Sequence, residues 1–216
     1  ATVSNQNNLL YQNNGSGTFT KITSGPVVTD AAFTESQSWA DYDNDGDLDL
    51  FVTNATGQDN NLYRNDGAGT FTQITTGSIV SDGGNSVGCA WGDYDNDGFV
   101  DLFVSNWNEA NFLYKNSGGG TFTKITTGAI VTDVGASVGC AWGDYDNDGD
   151  IDLFVANYSG QNDYLYQNNG TGTFTKITSG SIVTDGASSN GGSWGDYDND
   201  GDLDLFVTSG ATASPA

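Results

Sequence analysis

The stretch Asp41–Val52, DYDNDGDLDLFV, places five aspartates within nine residues and continues into an apolar run. The same pattern, D-x-D-x-D-G-x-x-D, begins again at Asp93, Asp144 and Asp196. Alternate residues of a tightly curled loop point inward, so three aspartates can converge on one ion, and the glycine permits the sharp turn. The sequence therefore predicts four cation-binding loops, each directly before a β-strand.

The chemistry of these loops favours calcium. Oxygen ligands without histidine or cysteine suit Ca²⁺ better than zinc or copper, and Mg²⁺ prefers fewer protein ligands. An EF-hand would need a glutamate at position twelve, where these loops have a strand valine, for example Val52. Position seven is aspartate in three loops but Phe99 in the second, so we expect it to contribute its backbone carbonyl.

The predicted ligands are the side chains at positions one, three, five and nine and the carbonyl at position seven, for about four Ca²⁺ per chain, one per repeat. They are Asp41, Asp43, Asp45, Asp47 and Asp49; Asp93, Asp95, Asp97, Phe99 and Asp101; Asp144, Asp146, Asp148, Asp150 and Asp152; and Asp196, Asp198, Asp200, Asp202 and Asp204. Nineteen of the 26 aspartates are in this set, so calcium would neutralise most of the acidic excess.

The composition of the 216-residue chain excludes several function classes. With 28 acidic and 5 basic residues, its net charge of -23 argues against nucleic acid or an anionic membrane as a partner. No histidine is present, which removes the commonest general base and zinc ligand. No apolar run reaches the ~18 residues of a membrane span, and the start ATVSNQNN is not a signal peptide, so we expect a mature or excised secreted chain.

The whole chain is one unit repeated. Trp39, Trp91, Trp142 and Trp194 are separated by 52, 51 and 52 residues, and no linker interrupts the pattern, so we expect a single domain over residues 1–216. Each repeat reads as four short antiparallel strands, which is typical of a β-propeller blade. The repeating tryptophans, leucines, phenylalanines and valines would form the core between blades.

The two ends of the pattern are half repeats. The first residues read as strands three and four of a blade and the last as strands one and two, which predicts an all-β propeller of about four blades with one composite N/C-terminal blade. The same split would also let two chains form a larger ring, or let chains join head to tail. The sequence does not choose among these arrangements.

The aspartate loops, the blade length and the following DLFV motif resemble the FG-GAP/VCBS repeat family, which includes the propeller heads of integrin α subunits and some fungal lectins. The resemblance covers nearly the whole chain. It implies a propeller with Ca²⁺ in the loop between strands one and two of each blade. The repeats here are shorter than is usual in that family, and four blades are fewer.

Other candidate sites lie outside the loops. Trp107 and Tyr158 are expected in loops between strands two and three, on the face opposite the calcium loops, as low-rank candidates for ligand binding. Asp30, Asp82, Asp133 and Asp185 recur before strand one, either as turn or cap residues or as second ligands. Asn14, Asn54, Asn157 and Asn169 lie in glycosylation sequons. Cys89 and Cys140 are expected as buried free thiols rather than a bridge.

Function follows from this combination. We do not expect an enzyme, because the carboxylates of every repeat are assigned to metal binding and no separate residue is available as a catalytic base. A polysaccharide-active enzyme domain is the least favoured hypothesis. The leading hypothesis is a calcium-stabilised, secreted or cell-surface β-propeller that acts as a binding or adhesion module, with carbohydrate (lectin-like) or extracellular protein as its ligand. The alternative is a structural subunit of an extracellular homo-oligomer or filament.

Overall fold

Repeated antiparallel sheets account for the architecture of the chain, and the computed structural model describes residues 5–210. The strands are β1 Leu10–Asn13, β2 Phe19–Ile22, β3 Thr34–Ala40, β4 Asp49–Asn54, β5 Asn61–Asn65, β6 Phe71–Ile74, β7 Ser86–Gly92, β8 Asp101–Ala110, β9 Phe112–Asn116, β10 Phe122–Ile125, β11 Val134–Gly143, β12 Asp152–Asn157, β13 Tyr164–Asn168, β14 Phe174–Lys176, β15 Ser189–Gly195 and β16 Asp204–Ser209. Four-stranded antiparallel units alternate with short connections, as the repeat predicts.

Three complete blades follow one another along the chain. They are β3–β6, β7–β10 and β11–β14, each with its strands in sequential order, and the second and third are also joined where the end of β8 pairs with β11. Equivalent strands pair in the same register: Leu50 faces Tyr63 in the first blade, as Leu102 faces Tyr114 in the second. The four-strand reading of the repeat is confirmed.

The composite blade is not assembled within the described chain. Strand β1 pairs only with β2, and β16 pairs only with β15, so two separate two-stranded half-blades lie beside the three complete blades. Within residues 5–210 the two half-blades are thus not joined into one sheet, and a composite N/C-terminal blade stays a prediction.

A short helical turn precedes each of the four first strands, β3, β7, β11 and β15, where the sequence indicated irregular connections. They are 3-10 turns at Pro26–Val28, Ser78–Val80 and Ser181–Val183, and a single α-helical turn, α1, at Ala129–Thr132. Each turn carries two consecutive aliphatic residues toward the core, such as Val27 and Val28 in the first. Their burial explains why these connections are ordered.

Apolar contacts between blades form the core. Phe51 and Leu62 of the first blade pack with Leu102, Val104 and Tyr114 of the second, and all five side chains are buried. The repeating tryptophans join the blades: Trp91 stands edge-on to Phe51, and its indole N–H donates to the Ser38 carbonyl of the blade before it. Each blade thus covers a face that a lone sheet would expose to water.

One tryptophan departs from the expected core role. Trp91 and Trp142 are half-buried within core clusters, whereas Trp39 is exposed. The difference has a physical cause, since the β1–β2 half-blade beside Trp39 lacks the inner strands on which Trp91 and Trp142 pack.

Among residues 5–210, no helix is long and apolar enough to cross a membrane.

Candidate functional site

Each aspartate loop joins strands one and two of a blade. The first loop connects β3 to β4, and the other three connect β7 to β8, β11 to β12 and β15 to β16. The asparagine at position four is left-handed in every loop, with φ between 58° and 61°, and the glycine at position six also has positive φ. Because asparagine and glycine tolerate this conformation best, the sequence D-x-D-N-D-G curls the chain locally.

The aspartate at position one organises the turn. Asp41 accepts hydrogen bonds from two backbone N–H groups, that of Asp45 at 3.0 Å and that of Gly46 at 2.9 Å. The same two contacts recur in the other three loops. The hydrogen bonds of this carboxylate to the backbone therefore hold the curl of the loop in place.

The aspartate at position nine is the buried anchor of the loop. Asp101 is fully buried and accepts from the Tyr94 N–H at 3.1 Å and from the Asn116 N–H at 2.7 Å. Burial, the largest cause, raises the pKa of Asp101 to about 7, against the lowering effect of these two hydrogen bonds. Burial likewise raises the pKa values of Asp49 and Asp152 to about 6. A nearby cation would offset the cost of ionising these carboxyls.

Three carboxylates converge in every loop. One oxygen from each member lies within 4.8 Å of the others in four groups: Asp41, Asp43 and Asp45; Asp93, Asp95 and Asp101; Asp144, Asp146 and Asp152; and Asp196, Asp198 and Asp204. Positions one and three take part in all four groups. The third member is position nine in three loops and position five in the first, so not every predicted side chain belongs to the tightest cluster.

Two of the clustered aspartates carry an oxygen without a hydrogen-bond partner. Oδ1 of Asp43 and Oδ1 of Asp95 are buried and have no hydrogen-bond donor within the described residues. Burial, followed by the neighbouring Asp45 carboxylate, raises the pKa of Asp43. A buried carboxylate oxygen without a donor is costly, and a hard cation would satisfy it. The donor set, which is all oxygen and strongly anionic, fits Ca²⁺.

A side chain from strand three reaches position three of the loop. Lys115 contacts the Asp95 carboxylate and lies 3.3 Å from Asp97, while Gln167 donates to Asp146 at 2.5 Å in the third blade. The second loop thus has an internal cation beside its carboxylates. Sequence reasoning missed this contact, although the residue after each Leu-Tyr pair, a glutamine, arginine or lysine, was a visible signal.

Position seven links neighbouring loops through its side chain. Asn96 of the second loop donates to Asp150 Oδ1 of the third at 2.7 Å, and Asn147 of the third donates to Asp202 Oδ1 of the fourth at 2.6 Å. Where position seven is Phe99, the donor Asn44 turns to the Gly98 carbonyl at 3.1 Å. This side-chain role is compatible with a carbonyl ligand at position seven, and the bridging asparagines were not anticipated from the sequence.

Trp107 and Tyr158 lie together at the other end of their blades. Their ring centroids are 5.7 Å apart with planes tilted by 40°, and both side chains are half-buried. The expectation that Trp107 lies in a loop is wrong, because β8 continues to Ala110 and pairs Trp107 with Ala136 of β11. Trp107 follows Asp101 by six residues, which is about 20 Å along an extended strand and away from the aspartate loop.

The aspartates before strand one have a structural partner that the sequence did not reveal. The hydroxyls of Tyr63, Tyr114 and Tyr166 donate to Asp30, Asp82 and Asp133 at 3.2, 2.7 and 2.9 Å. Lys124 and Lys176 approach Asp82 and Asp133 at 2.9 and 2.6 Å. These carboxylates therefore fasten a blade to the connection before it, rather than serving only as turn residues.

The sequons and cysteines occupy different environments. Asn54 and Asn157 are buried, and their side-chain amides donate to the carbonyls of Asp59 and Asn162, so a glycan at either would require those contacts to break. Asn14 and Asn169 are exposed in hairpin turns, where glycosylation stays a prediction.

Cys89 and Cys140 are free thiols on the inner strands β7 and β11, and burial raises the pKa of Cys89 to about 12.

Comparison with known proteins identifies the repeats. A family profile described as an FG-GAP-like repeat matches residues 1–52, 41–104, 93–155 and 144–207, which confirms the resemblance indicated by the aspartate loops. Cartilage acidic protein 1 from Xenopus tropicalis is 32% identical over 134 residues, which cover 60% of this chain and 20% of that protein. The mouse protein of the same name is 28% identical over 173 residues, covering 75% and 26%. The chain thus spans about a quarter or less of these relatives.

A solved structure is similar in fold. A lectin from Agrocybe aegerita, studied for its specific recognition of non-reducing terminal N-acetylglucosamine, superposes with a TM-score of 0.61 at 19% identity. The match covers 93% of this chain and 55% of the lectin chain. At this identity the similarity concerns the fold.

Proposed function

This chain belongs to the FG-GAP-like repeat family, and we propose that it is a calcium-stabilised, extracellular binding module whose preferred ligand is carbohydrate. The observation that carries the calcium assignment is the convergence of three carboxylates in each of the four loops. The unpartnered Oδ1 atoms of Asp43 and Asp95 support it, because a hard cation would satisfy buried oxygens that receive no hydrogen bond from the described residues. The proposed ligands are the position one, three, five and nine carboxylates with the position-seven carbonyl, as predicted from the sequence.

The ion would act as a structural element. It would neutralise carboxylates that otherwise repel one another and fix the hairpin between strands one and two of each blade. Extracellular calcium modules bind with dissociation constants of about 10⁻⁴–10⁻³ M, so such a site fills outside cells. An extracellular location agrees with this requirement and with the acidic surface.

Native mass spectrometry and calorimetry test the metal. We expect about four Ca²⁺ per chain, a rise in melting temperature with calcium, and reversal of that rise by a chelator. Magnesium at the same concentration is the control and should give a smaller rise. Absence of bound calcium together with unchanged melting would overturn the proposal.

The ligand site is proposed on the aromatic pair Trp107 and Tyr158. Aromatic rings at the end of a rigid strand are suited to stacking on a sugar ring, and they lie away from the aspartate loops. The exposed carboxylate of Glu109 and the exposed Asn190, which is close to Tyr158 and Gly210, are polar groups near the pair. The lectin with a similar fold supports carbohydrate as the ligand class and supplies the first probe.

A glycan array that includes glycans with terminal N-acetylglucosamine tests this site in the presence of calcium. We expect binding to be lost in Trp107→Ala and weakened in Tyr158→Ala. Val134→Ala, which removes an exposed apolar side chain outside the aspartate loops, is the matched control and should bind normally. A blank array, or equal binding by Trp107→Ala, would count against a lectin and leave protein as the ligand class to examine.

The proposal assigns no catalytic residue. The carboxylate groups recur in every repeat as the proposed metal ligands, and the solved protein of similar fold is a lectin.

A further inference from the structure

A path of hydrogen bonds joins the position-nine aspartates of the second and third loops. Asp101 of the second loop accepts from the backbone N–H of Tyr94 at 3.1 Å. The carbonyl of Tyr94 accepts from the side-chain amide of Asn168 at 2.6 Å. Asn168 is the last residue of strand β13 in the next blade, and its backbone N–H donates to Asp152 of the third loop at 2.8 Å. Three hydrogen bonds therefore connect a proposed calcium ligand of one loop with a proposed ligand of the next.

The same path joins the first loop to the second. Asp49 accepts from the backbone N–H of Tyr42 at 3.1 Å. The carbonyl of Tyr42 accepts from the side chain of Asn116 at 2.7 Å, and the backbone N–H of Asn116 donates to Asp101 at 2.7 Å. The two paths thus meet at Asp101, and all of their members are at most 3% exposed. Hydrogen bonds in such a low-dielectric interior are stronger than those that compete with water.

The two asparagines that cross between blades are held by every polar group of their side chains. Besides the carbonyl of the preceding loop, the side-chain amides of Asn116 and Asn168 contact a carbonyl at position eight of the following loop. These carbonyls belong to Val100 at 3.2 Å and to Ile151 at 3.1 Å. The side-chain oxygen of each accepts from the backbone of the next turn, as from Gly118 at 3.0 Å. Because both amide hydrogens and the oxygen are used, each asparagine is fixed in one orientation between two loops.

A second bridge joins the same pairs of loops at the surface. Asn96, at position four of the second loop, donates to the Asp150 side chain at position seven of the third, where the carbonyl is a proposed ligand. Asn44 of the first loop donates to the Gly98 carbonyl of the second. Both asparagines are exposed, so this bridge can be altered without disturbing the buried path.

We propose that these connections couple the calcium sites of adjacent blades, so that an ion in one loop raises the calcium affinity of the neighbouring loop; the inference rests on the calcium sites of the proposed function. An ion that fixes Asp152 also restrains Asn168, and Asn168 restrains the backbone of the second loop at Tyr94. The second loop then loses less conformational freedom when its own ion binds, which gives positive cooperativity without a change of fold. The coupling is reciprocal, so it acts in both directions between the two loops.

Calcium calorimetry on full-length variants with disabled loops measures the coupling. Asp43→Asn and Asp198→Asn, at position three of the first and fourth loops, leave the second and third loops to bind. Further addition of Asp146→Asn or of Asp95→Asn leaves one loop only. The coupling factor is the product of the two binding constants of the two-loop protein divided by the product of the constants of the two one-loop proteins. We expect a factor of about five or more.

The buried asparagines provide a matched pair of variants. Asn168→Ala should remove most of the coupling between the second and third loops, because it breaks the path that joins them. Asn116→Ala removes the same set of contacts from an equally buried position, but between the first and second loops. It should leave the coupling factor between the second and third loops unchanged. A purely structural role would make the two variants equivalent.

The exposed asparagines provide a second pair that does not depend on folding of a core variant. Asn96→Gly should remove a smaller part of the coupling, and glycine accepts the positive φ of 58° at this position. Asn44→Gly is its control and should leave the factor between the second and third loops unchanged, because Asn44 bridges the first and second loops.

The outcomes separate this proposal from the calcium assignment itself. Calcium binding with a coupling factor no greater than unity would overturn the coupling and leave the calcium sites in place. Equal losses in Asn168→Ala and Asn116→Ala would also overturn it. If Asn168→Ala does not fold, Asn96→Gly decides, and full coupling in that variant would refute the proposal. Absence of calcium binding in the parent chain would overturn both the coupling and the proposed function.

Discussion

The substitution Asp146→Asn tests whether Asp146 binds calcium or only adds negative charge to its loop, because the two roles predict opposite effects on stability in calcium. Asp146 is at position three of the third loop, and one of its oxygens lies within 4.8 Å of oxygens of Asp144 and Asp152. Two unit charges at that distance repel by about 1 kcal/mol in a water-like dielectric. Without calcium, removal of one of these charges should therefore stabilise the protein by about 1 kcal/mol. Asparagine keeps an oxygen that accepts the Gln167 side-chain hydrogen bond.

Calcium should reverse the sign of this effect. At a free concentration 100 times the dissociation constant, one occupied site adds about 2.7 kcal/mol to the free energy of unfolding. Loss of the third-loop site would remove that contribution, so the variant becomes less stable than the parent by about 1.5–2 kcal/mol in calcium. For a chain of this size, the calcium-induced rise in melting temperature should fall by roughly 5–11 °C.

Asp150→Asn is the matched control, because it removes the same charge from the same loop. Asp150 is at position seven, where its side chain accepts from Asn96 and only its carbonyl is proposed to meet the ion. We expect its calcium response to equal that of the parent. The assay is thermal unfolding followed by circular dichroism, with and without calcium. If Asp146→Asn kept the full calcium response, or Asp150→Asn lost as much, the ligand assignment would be refuted.

Three further predictions follow from individual contacts. Lys115→Gln gives the second blade the residue that the third blade has at this position. It should tighten calcium binding at the second loop by several-fold, because the ammonium at Asp95 no longer competes with the ion. Calorimetry of calcium binding checks this, and an unchanged or weaker affinity would contradict it. The calcium-free protein should lose stability as pH rises from about 4 to about 7. The folded-state pKa of Asp101 is about 7 and those of Asp49 and Asp152 are about 6, above the unfolded value of about 3.9, so the folded state binds more protons in this range. Urea unfolding of metal-free protein at several pH values measures this, and a stability that rises over that range would be inconsistent with it. Tyr114→Phe should lower the free energy of unfolding by about 1–2 kcal/mol, since it leaves Asp82 without its buried hydroxyl donor. The control is Tyr11→Phe, because the Tyr11 hydroxyl has no side-chain partner in residues 5–210. Chemical denaturation compares the two variants, and equal losses of stability would contradict the contact.

Much of the fold and of the metal site could be predicted from residues that are close in sequence. Asp41, Asp43 and Asp45 converge because their spacing, with Asn44 and Gly46 in left-handed conformations, curls the backbone within one loop. Period-two alternation and the repeated turns likewise specify each strand hairpin locally. These features need no information from the rest of the chain.

Contacts between blades could not be predicted in the same way. Asn96 reaches Asp150, and Tyr114 reaches Asp82, only after neighbouring blades have packed, so no local spacing reveals either pair. Trp107 lies in a strand rather than in the expected loop because the end of β8 pairs with β11.

The sequence by itself determined the repeat, the strand order within each blade and the four oxygen-rich loops. Only the tertiary structure decided which equivalent residues are covered. Phe154 and Phe206 occupy the same position of nearly identical motifs, yet the first is fully buried and the second is largely exposed. The reason is that burial of a propeller residue depends on the next sheet around the ring, which a repeat cannot supply from its own sequence.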